Sequence, residues 1–245
     1  MSDGATSFGA AAAEYDRARP EYPAEAVAWM VPSHAVDVVD VGAGTGKLTS
    51  ALLARLSTTP GSRITAIDPD SAMLSTLSAG HPRIPTFVGT AEHLPLDDAS
   101  ADLITFGQAW HWVDPPVASR EVARVLRPGG TIGLIWNIRD ETVPWVKELG
   151  ETMQLSNAEL LIAEGGPIVG EPFGALETAE FTWESTFTVD RLVELAASRS
   201  YVITATDQRR AEIFDGVRAL GERVADADGS LTMPYRTHVY RSTRP

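Results

Sequence analysis

The stretch Asp40-Val41-Gly42-Ala43-Gly44-Thr45-Gly46-Lys47-Leu48-Thr49 is where this chain is best equipped for chemistry. Alternating glycines let a backbone turn tightly and approach a ligand with no Cβ in the way. The stretch follows a β-branched run, Val36–Val41, and opens an apolar-periodic one, Leu48–Leu56. It therefore joins a strand to a helix start, whose unpaired N–H groups favour an anionic group. An open α/β sheet holds its ligand at such a junction. Three ligand classes compete for it. A Walker loop needs Gly, four residues, Gly, Lys and then Ser or Thr, and Val41 and Leu48 break that pattern twice. The dinucleotide fingerprint needs Gly or Ala where Lys47 stands, so it fails once. A Gly-x-Gly-x-Gly loop suits a nucleoside without a diphosphate, of which S-adenosylmethionine is the common one.

Asp68 ends the next β-branched run about twenty residues beyond the loop, the offset at which a carboxylate accepts hydrogen bonds from ribose hydroxyls. Capping of a helix near Ser71 is the competing role for Asp68. Dinucleotide enzymes share this acid, so it points to a nucleoside without naming one. His111, between Trp110 and Trp112, is the candidate general base, with an ordinary pKa of ~6.5. The alternative is a packed imidazole lining a pocket with the tryptophans as its wall. Indole faces also favour a sulfonium or a cationic substrate by ~0.5–2 kcal/mol. Asn137, Arg139 and Trp145 follow the fifth predicted strand as candidate substrate residues, and Arg139 suits bidentate capture of a carboxylate. His34, His81 and His93 lack metal-ligand spacing, and no metal is expected.

The elements that must position these residues alternate. Strands are predicted at Val36–Val41, Arg63–Ile67, Ile84–Val88, Asp102–Phe106 and Thr131–Trp136. Helices are predicted at Ala24–Met30, Leu48–Leu56, Ser71–Leu77 and Val117–Leu126, the last ended by Pro128-Gly129-Gly130. Such alternation predicts a Rossmann-like, doubly wound α/β fold with a mostly parallel sheet between two helical layers. Residues 138–175 have weak periodicity and read as an insertion or lid. Phe181–Val189 and Thr232–Tyr240 alternate as strands, with helices at Asp190–Ala197 and Gln208–Val224, which suits an antiparallel edge near the C-terminus. The expectation is one domain over 1–245 with a cap from about 1–32 and 138–175.

Composition narrows the function. The chain has 245 residues, is 44% hydrophobic, has no cysteine, and carries a net charge of −13. No disulfide framework, thiolate metal site or cysteine nucleophile is available. An acidic field opposes the counterion exchange that nucleic-acid binding requires. The Gln108-Ala109-Trp110-His111-Trp112 stretch also differs from the Asn/Asp-Pro-Pro-Tyr/Phe loop of amino-directed nucleic-acid methyltransferases. No apolar run approaches the ~18 residues of a membrane span, and the first residues lack signal-peptide character. The expectation is a cytoplasmic monomer or homodimer acting on a small molecule, away from nucleic acid and membrane.

The glycine loop, Ala66–Leu74, Gly89–Leu96 and Val125–Gly130 together resemble class I S-adenosylmethionine-dependent methyltransferases of the type 11 group. The Gln108–Trp112 stretch and the Tyr15…Arg19-Pro20-Glu21-Tyr22-Pro23 opening resemble the branch of trans-aconitate methyltransferase-like proteins. The resemblance runs from about Phe8 to Asn137 and is loose beyond Arg139. It implies that the Gly42, Ala43, Gly44 and Gly46 backbone wraps the methionine part of the cofactor, with Asp40 near its ammonium. It implies Asp68 on the ribose, Pro69 and Met73 on the adenine face, and Ala91 and Glu92 at the adenine edge. Thr90 stands where this family often has Asp. The Gln108 carbonyl is expected on the ammonium, Tyr15 and Arg19 closing over the cofactor, and Trp110 beside it. Trp112, Asn137 and Arg139 are expected on the acceptor side and His111 at the transferred methyl. A nicotinamide-dependent oxidoreductase and a non-catalytic cofactor-binding protein are the rival readings.

Overall fold

The computed structural model describes residues 19–245. Of the expected site residues, Tyr15 lies outside the described residues.

Short helix α1 (Ala24–Met30) leads into β1 (Asp37–Val41), α2 (Lys47–Leu56), β2 (Arg63–Asp68), α3 (Ser71–Gly80) and β3 (Thr86–Val88). Then come β4 (Ala101–Gly107), a 3₁₀ turn at Trp110–Trp112, α4 (Pro115–Val125) and β5 (Leu126–Arg139). The remainder is α5 (Pro144–Met153), α6 (Asn157–Ala163), β6 (Glu177–Thr188), α7 (Val189–Ala197), α8 (Ser200–Ile203), α9 (Asp207–Val224) and β7 (Ser230–Thr243). The seven strands form one sheet in the order β3-β2-β1-β4-β5-β7-β6. β1 to β5 pair in parallel, while β7 runs antiparallel to both β5 and β6. The expected fold class is observed, with the reversed strand one place in from the edge. Strand order reverses beside β1, between β1 and β4, so the crevice there opens at the carboxyl ends of both strands.

Alternation along β5 divides the core. Ile132, Leu134 and Trp136 join Phe106, Trp110 and the α4 residues Ala118, Val122 and Val125 on one face. Ile135 packs on the other with Leu103, Val239, Leu48, Leu52 and the α1 residues Val27 and Met30. A third cluster seals α5, α7 and α9 against the ends of β6 and β7 through Leu149, Leu192, Val217 and Tyr235. Helix starts follow local chemistry. The Asp70 carboxylate accepts from the N–H groups of Ala72 and Met73, and that of Asp114 from Val117, where Pro115 sets the first turn.

Two expectations change. Pro128-Gly129-Gly130 does not end α4, which stops at Val125. It lies within β5, whose register against β4 jumps from Ala101↔Leu126 to Leu103↔Thr131. A bulge absorbs the extra residues. Residues 138–175, weak in periodicity, contain α5 and α6, and α6 opens with a reciprocal Ser156/Glu159 capping box. Among the described residues no helix is long and apolar enough to cross a membrane.

Candidate active site

The three loop glycines have positive φ, +68° at Gly42, +56° at Gly44 and +97° at Gly46. A Cβ at Gly42 would fall 2.5 Å from the Ala109 Cβ, so this position also admits the β4 exit. At Gly44 a Cβ would meet nothing within 4 Å, so the backbone there borders open space. The loop spends its donors chiefly on the end of β2. Gly42 and Ala43 N–H donate to the Ile67 carbonyl at 2.8 and 3.1 Å, and Gly46 N–H donates to Ala43 at 2.9 Å. Gly44 N–H donates to Asp68 Oδ2 at 2.8 Å. A diphosphate cradle needs free backbone N–H groups pointing outward. These four are taken, and carboxylates flank the turn.

Asp70 serves as the helix cap, which releases Asp68 from that role. One Asp68 oxygen accepts from Gly44 N–H and the other from Asp70 N–H at 2.8 Å, leaving acceptor capacity on both. Burial pushes this carboxyl up to about 6, against the two backbone donors. Asp40 is fully buried beneath the loop, where its carboxylate accepts from Thr49 at 2.7 Å and Thr105 at 3.2 Å. Burial raises it to about 7, with the two hydroxyls opposing.

A groove over this loop gathers most of the expected residues. Gly42, Gly44, Asp68, Pro69, Met73, Thr90, Ala91, Glu92, Gln108 and Trp112 line its main cavity. A smaller cavity shares Gly42, Gly44 and Gln108 and adds Arg19, Ala43 and Asn137. Asp40 and Gly46 sit below the surface of the turn, outside both linings. Glu92 accepts from Asp114 N–H at 2.9 Å through one oxygen, which fixes the carboxylate at the groove's far end. The sequence reading missed Gly89, Gly107, Ala109, Val113 and Tyr22, all lining residues. Gly107 had a signal, since it directly precedes Gln108. A Cβ on it would lie 2.8 Å from the Tyr22 hydroxyl.

Gln108 leaves β4 with a φ of +56°, a strained conformation for a residue with a side chain. Its N–H is held by the Ile135 carbonyl at 2.9 Å, and its amide donates to the Asn137 carbonyl at 3.1 Å. The 3₁₀ turn that follows sends its three rings in different directions. Trp112 faces the groove over the glycine loop. Trp110, expected beside the cofactor, is buried against Phe106, and its indole donates to the Ile168 carbonyl at 2.9 Å. His111 lines a separate groove with Trp110, Leu160, Leu161 and Ile168.

The hydrogen bonding of His111 bears on its expected role as a base. Trp136 Nε1, which can only donate, lies 3.4 Å from His111 Nδ1. Assigned from that contact, the neutral ring carries its proton on Nε2 and presents a donor on its free side. Burial, with a contribution from Arg19, pushes the imidazole down to about 4. A proton-observed titration of His111 by NMR is expected to show a midpoint well below 6, and a midpoint near 6.5 would contradict this environment.

Arg139, expected to reach substrate, is 2% exposed and lines neither cavity. Its Nε and Nη2 donate to Glu159 Oε1 at 3.2 and 2.8 Å. Arg199 Nη2 reaches the same oxygen at 3.4 Å. Burial works against both guanidinium charges. For Arg139 the Glu159 carboxylate more than offsets it, whereas Arg199 is left at about 10, with Arg139 adding repulsion. Glu159 is held at about 2, because Arg199, Arg139 and Ser156 outweigh its burial. Arg139 therefore sits behind the groove as part of a buried charge cluster.

A seven-stranded sheet of this order, with a glycine turn and an acid ending the second strand, defines an open, doubly wound α/β protein with its crevice at that turn. Residues 39–134 match the family model described as a methyltransferase domain. An uncharacterized methyltransferase of Mycobacterium tuberculosis is 44% identical, over 98% of this chain and 97% of its own length. An uncharacterized methyltransferase-like protein of Schizosaccharomyces pombe is 31% identical over 95% of this chain and 93% of its own. A type II methyltransferase structure from Anaeromyxobacter dehalogenans shares the fold, with a TM-score of 0.61, 24% identity, and coverage of 92% of this chain and 97% of that one. The chain belongs to the S-adenosylmethionine-dependent methyltransferases.

Proposed function

We propose that this methyltransferase binds S-adenosylmethionine in the groove over Gly42–Gly46 and methylates an oxygen of a small-molecule acceptor, a carboxylate in preference to a hydroxyl. The observation that carries the cofactor's placement is the loop whose Gly42, Ala43, Gly44 and Gly46 N–H groups are already paired, beside an Asp68 carboxylate with acceptor capacity left on both oxygens. These acceptors, with the loop donors already used, fit the hydroxyls of a ribose and an ammonium and oppose a pyrophosphate, which disfavours a nicotinamide dinucleotide. Asp68 would hold the ribose hydroxyls, Pro69 and Met73 would pack on the adenine, and Ala91, Glu92 and Thr90 would border its edge. The Gln108 carbonyl and, from below, Asp40 would favour the ammonium, with Arg19 near the carboxylate. When bound, the cofactor supplies an electrophilic methyl on a sulfonium, a good leaving group. Holding the acceptor in line is then most of the protein's work, worth ~7–11 kcal/mol of the barrier.

His111 bears on the acceptor. A hydroxyl nucleophile has to lose a proton, yet His111 offers a donor on its free nitrogen and has a depressed pKa. A carboxylate needs no base, which agrees with His111 lining the outer groove and leaving the glycine-loop groove without an imidazole. The resemblance of Gln108–Trp112 to the trans-aconitate methyltransferase-like branch favours the same acceptor class.

The test uses protein incubated with cofactor labelled on the methyl group and a panel of carboxylic acids, alcohols and amines. Label released as volatile methanol by mild base marks a methyl ester, and stable label marks an ether or amine. Thermal shifts with S-adenosylhomocysteine but none with NAD(H) or NADP(H) are expected, and the reverse pattern overturns the cofactor assignment.

Binding should also depend on pH. Asp68 and Asp40 have raised pKa values, so in the free protein each takes up a proton as pH falls through about 6 and about 7. The protonated forms are the poorer partners for ribose hydroxyls and an ammonium. S-adenosylhomocysteine affinity is expected to hold above pH 7 and to fall below it, by no more than about tenfold per pH unit for each proton taken up. A titration series showing constant affinity from pH 8 to 5 would remove both groups from the cofactor contacts.

A further inference from the structure

The charge cluster behind the groove is unbalanced. Two guanidiniums, Arg139 and Arg199, share the single oxygen Oε1 of Glu159, and the other oxygen is tied to Ser156 N–H and Oγ at 2.7 and 2.8 Å. Arg199 Nε and the Tyr235 hydroxyl are both buried with no hydrogen-bond partner, in residues 8% and 3% exposed. Buried cations without full compensation are costly, and such groups are retained where a counter-charge arrives. Glu141 is close enough to feel the field of Arg139 but makes no ion pair with it among the described residues. The cluster lies behind the groove wall and is joined to it through β5 and β7. Arg139 pairs with Tyr235 across β5 and β7, one step along the same strand faces from the Asn137–Thr237 pair, and Asn137 lines the cofactor groove. Thr237 donates to Asn137 at 2.7 Å and accepts from the Trp183 indole at 2.8 Å. The Trp183 ring stacks on Tyr235 at 4.9 Å and fixes the direction of its hydroxyl. From the groove side, Arg19 is bonded to Ser198, next to Arg199.

We propose that Arg139, Arg199 and the Tyr235 hydroxyl form a recognition site for a carboxylate of the methyl acceptor, beyond the oxygen that receives the methyl group. The proposal rests on the methyltransferase reading of the groove. Arg199 Nε and the Tyr235 hydroxyl supply donors for the incoming anion, whose charge balances the second guanidinium. Arg139 supplies field and orientation while Glu159 holds it.

The experiment is isothermal titration of protein saturated with S-adenosylhomocysteine, using succinate, citrate, benzoate and phenylacetate, each beside its neutral amide, and inorganic phosphate. At least one acid is expected to bind about tenfold or more tightly than its amide, the scale of one charge-assisted contact. Tyr235→Phe and Arg199→Met are each expected to weaken that acid about tenfold. Tyr235→Phe should do so with an unchanged or raised Tm, because it removes a buried hydroxyl that has no partner, which a purely structural role would not couple to acid affinity. The proposal is overturned if no acid outbinds its amide, if both variants bind the acid as the parent does, or if phosphate outbinds every acid. Failure of S-adenosylhomocysteine itself to bind would instead strike the cofactor reading, and the same acids titrated into the free protein would still report on this cluster.

Discussion

Asp68→Ala is expected to lower S-adenosylhomocysteine affinity by about 1–3 kcal/mol, roughly 5- to 150-fold, from the lost acceptor alone. The true loss should sit at the upper end. The same carboxylate receives Gly44 N–H and Asp70 N–H, so its removal also strips two backbone donors of their partners at the turn and at the α3 cap. Asp68→Asn keeps one acceptor oxygen and the side-chain volume, and should fall between the parent and Ala. Calorimetry at pH 8, where Asp68 is ionised, separates binding from the proton competition seen at lower pH. Unchanged affinity in the Ala variant would remove Asp68 from the ribose and with it the placement of the cofactor.

Glu159→Ala should produce the largest stability loss among single changes at the site. It leaves Arg139 and Arg199 buried side by side with no carboxylate in contact, and breaking a buried pair this way costs about 3–5 kcal/mol. For a chain of this size that lowers Tm by roughly 10 °C. The sign with pH follows from the depressed carboxyl. Its contribution is fully present above the ordinary glutamate value of 4.5 and is lost as pH falls through about 2. The parent should therefore lose stability across that window more steeply than the Ala variant. Equal acid slopes in the two proteins, or a Tm change within a degree or two, would show that the cluster does not stabilise the fold.

The parts legible in the sequence are those set by local pattern. The glycine turn announces itself because left-handed backbone at consecutive alternate positions admits few other residues, and Asp68 follows at a fixed strand-helix-strand distance. The central strands were legible because both their faces are covered, so they read as apolar, β-branched runs, whereas β6 and β7 were read from their alternation. The 3₁₀ turn was not legible in the same way. Successive residues on such a turn point about 120° apart, and neighbouring side chains reach unrelated surroundings. Trp110, His111 and Trp112 accordingly separate into core, outer groove and the groove over the glycine loop. Arg139 read as a substrate residue because its partner, Glu159, stands on a helix with weak periodicity. The Ser156–Glu159 capping box could have revealed that helix.

The position of β7 also bears on how the molecule assembles. The strands carrying the glycine turn and Asp68 are complete before residue 140, whereas the wall holding Asn137 and Arg139 closes only when Thr237 and Tyr235, some hundred residues later, slide in beside them. During synthesis that wall therefore waits for the last strand to leave the ribosome, long after the glycine turn and Asp68 have emerged.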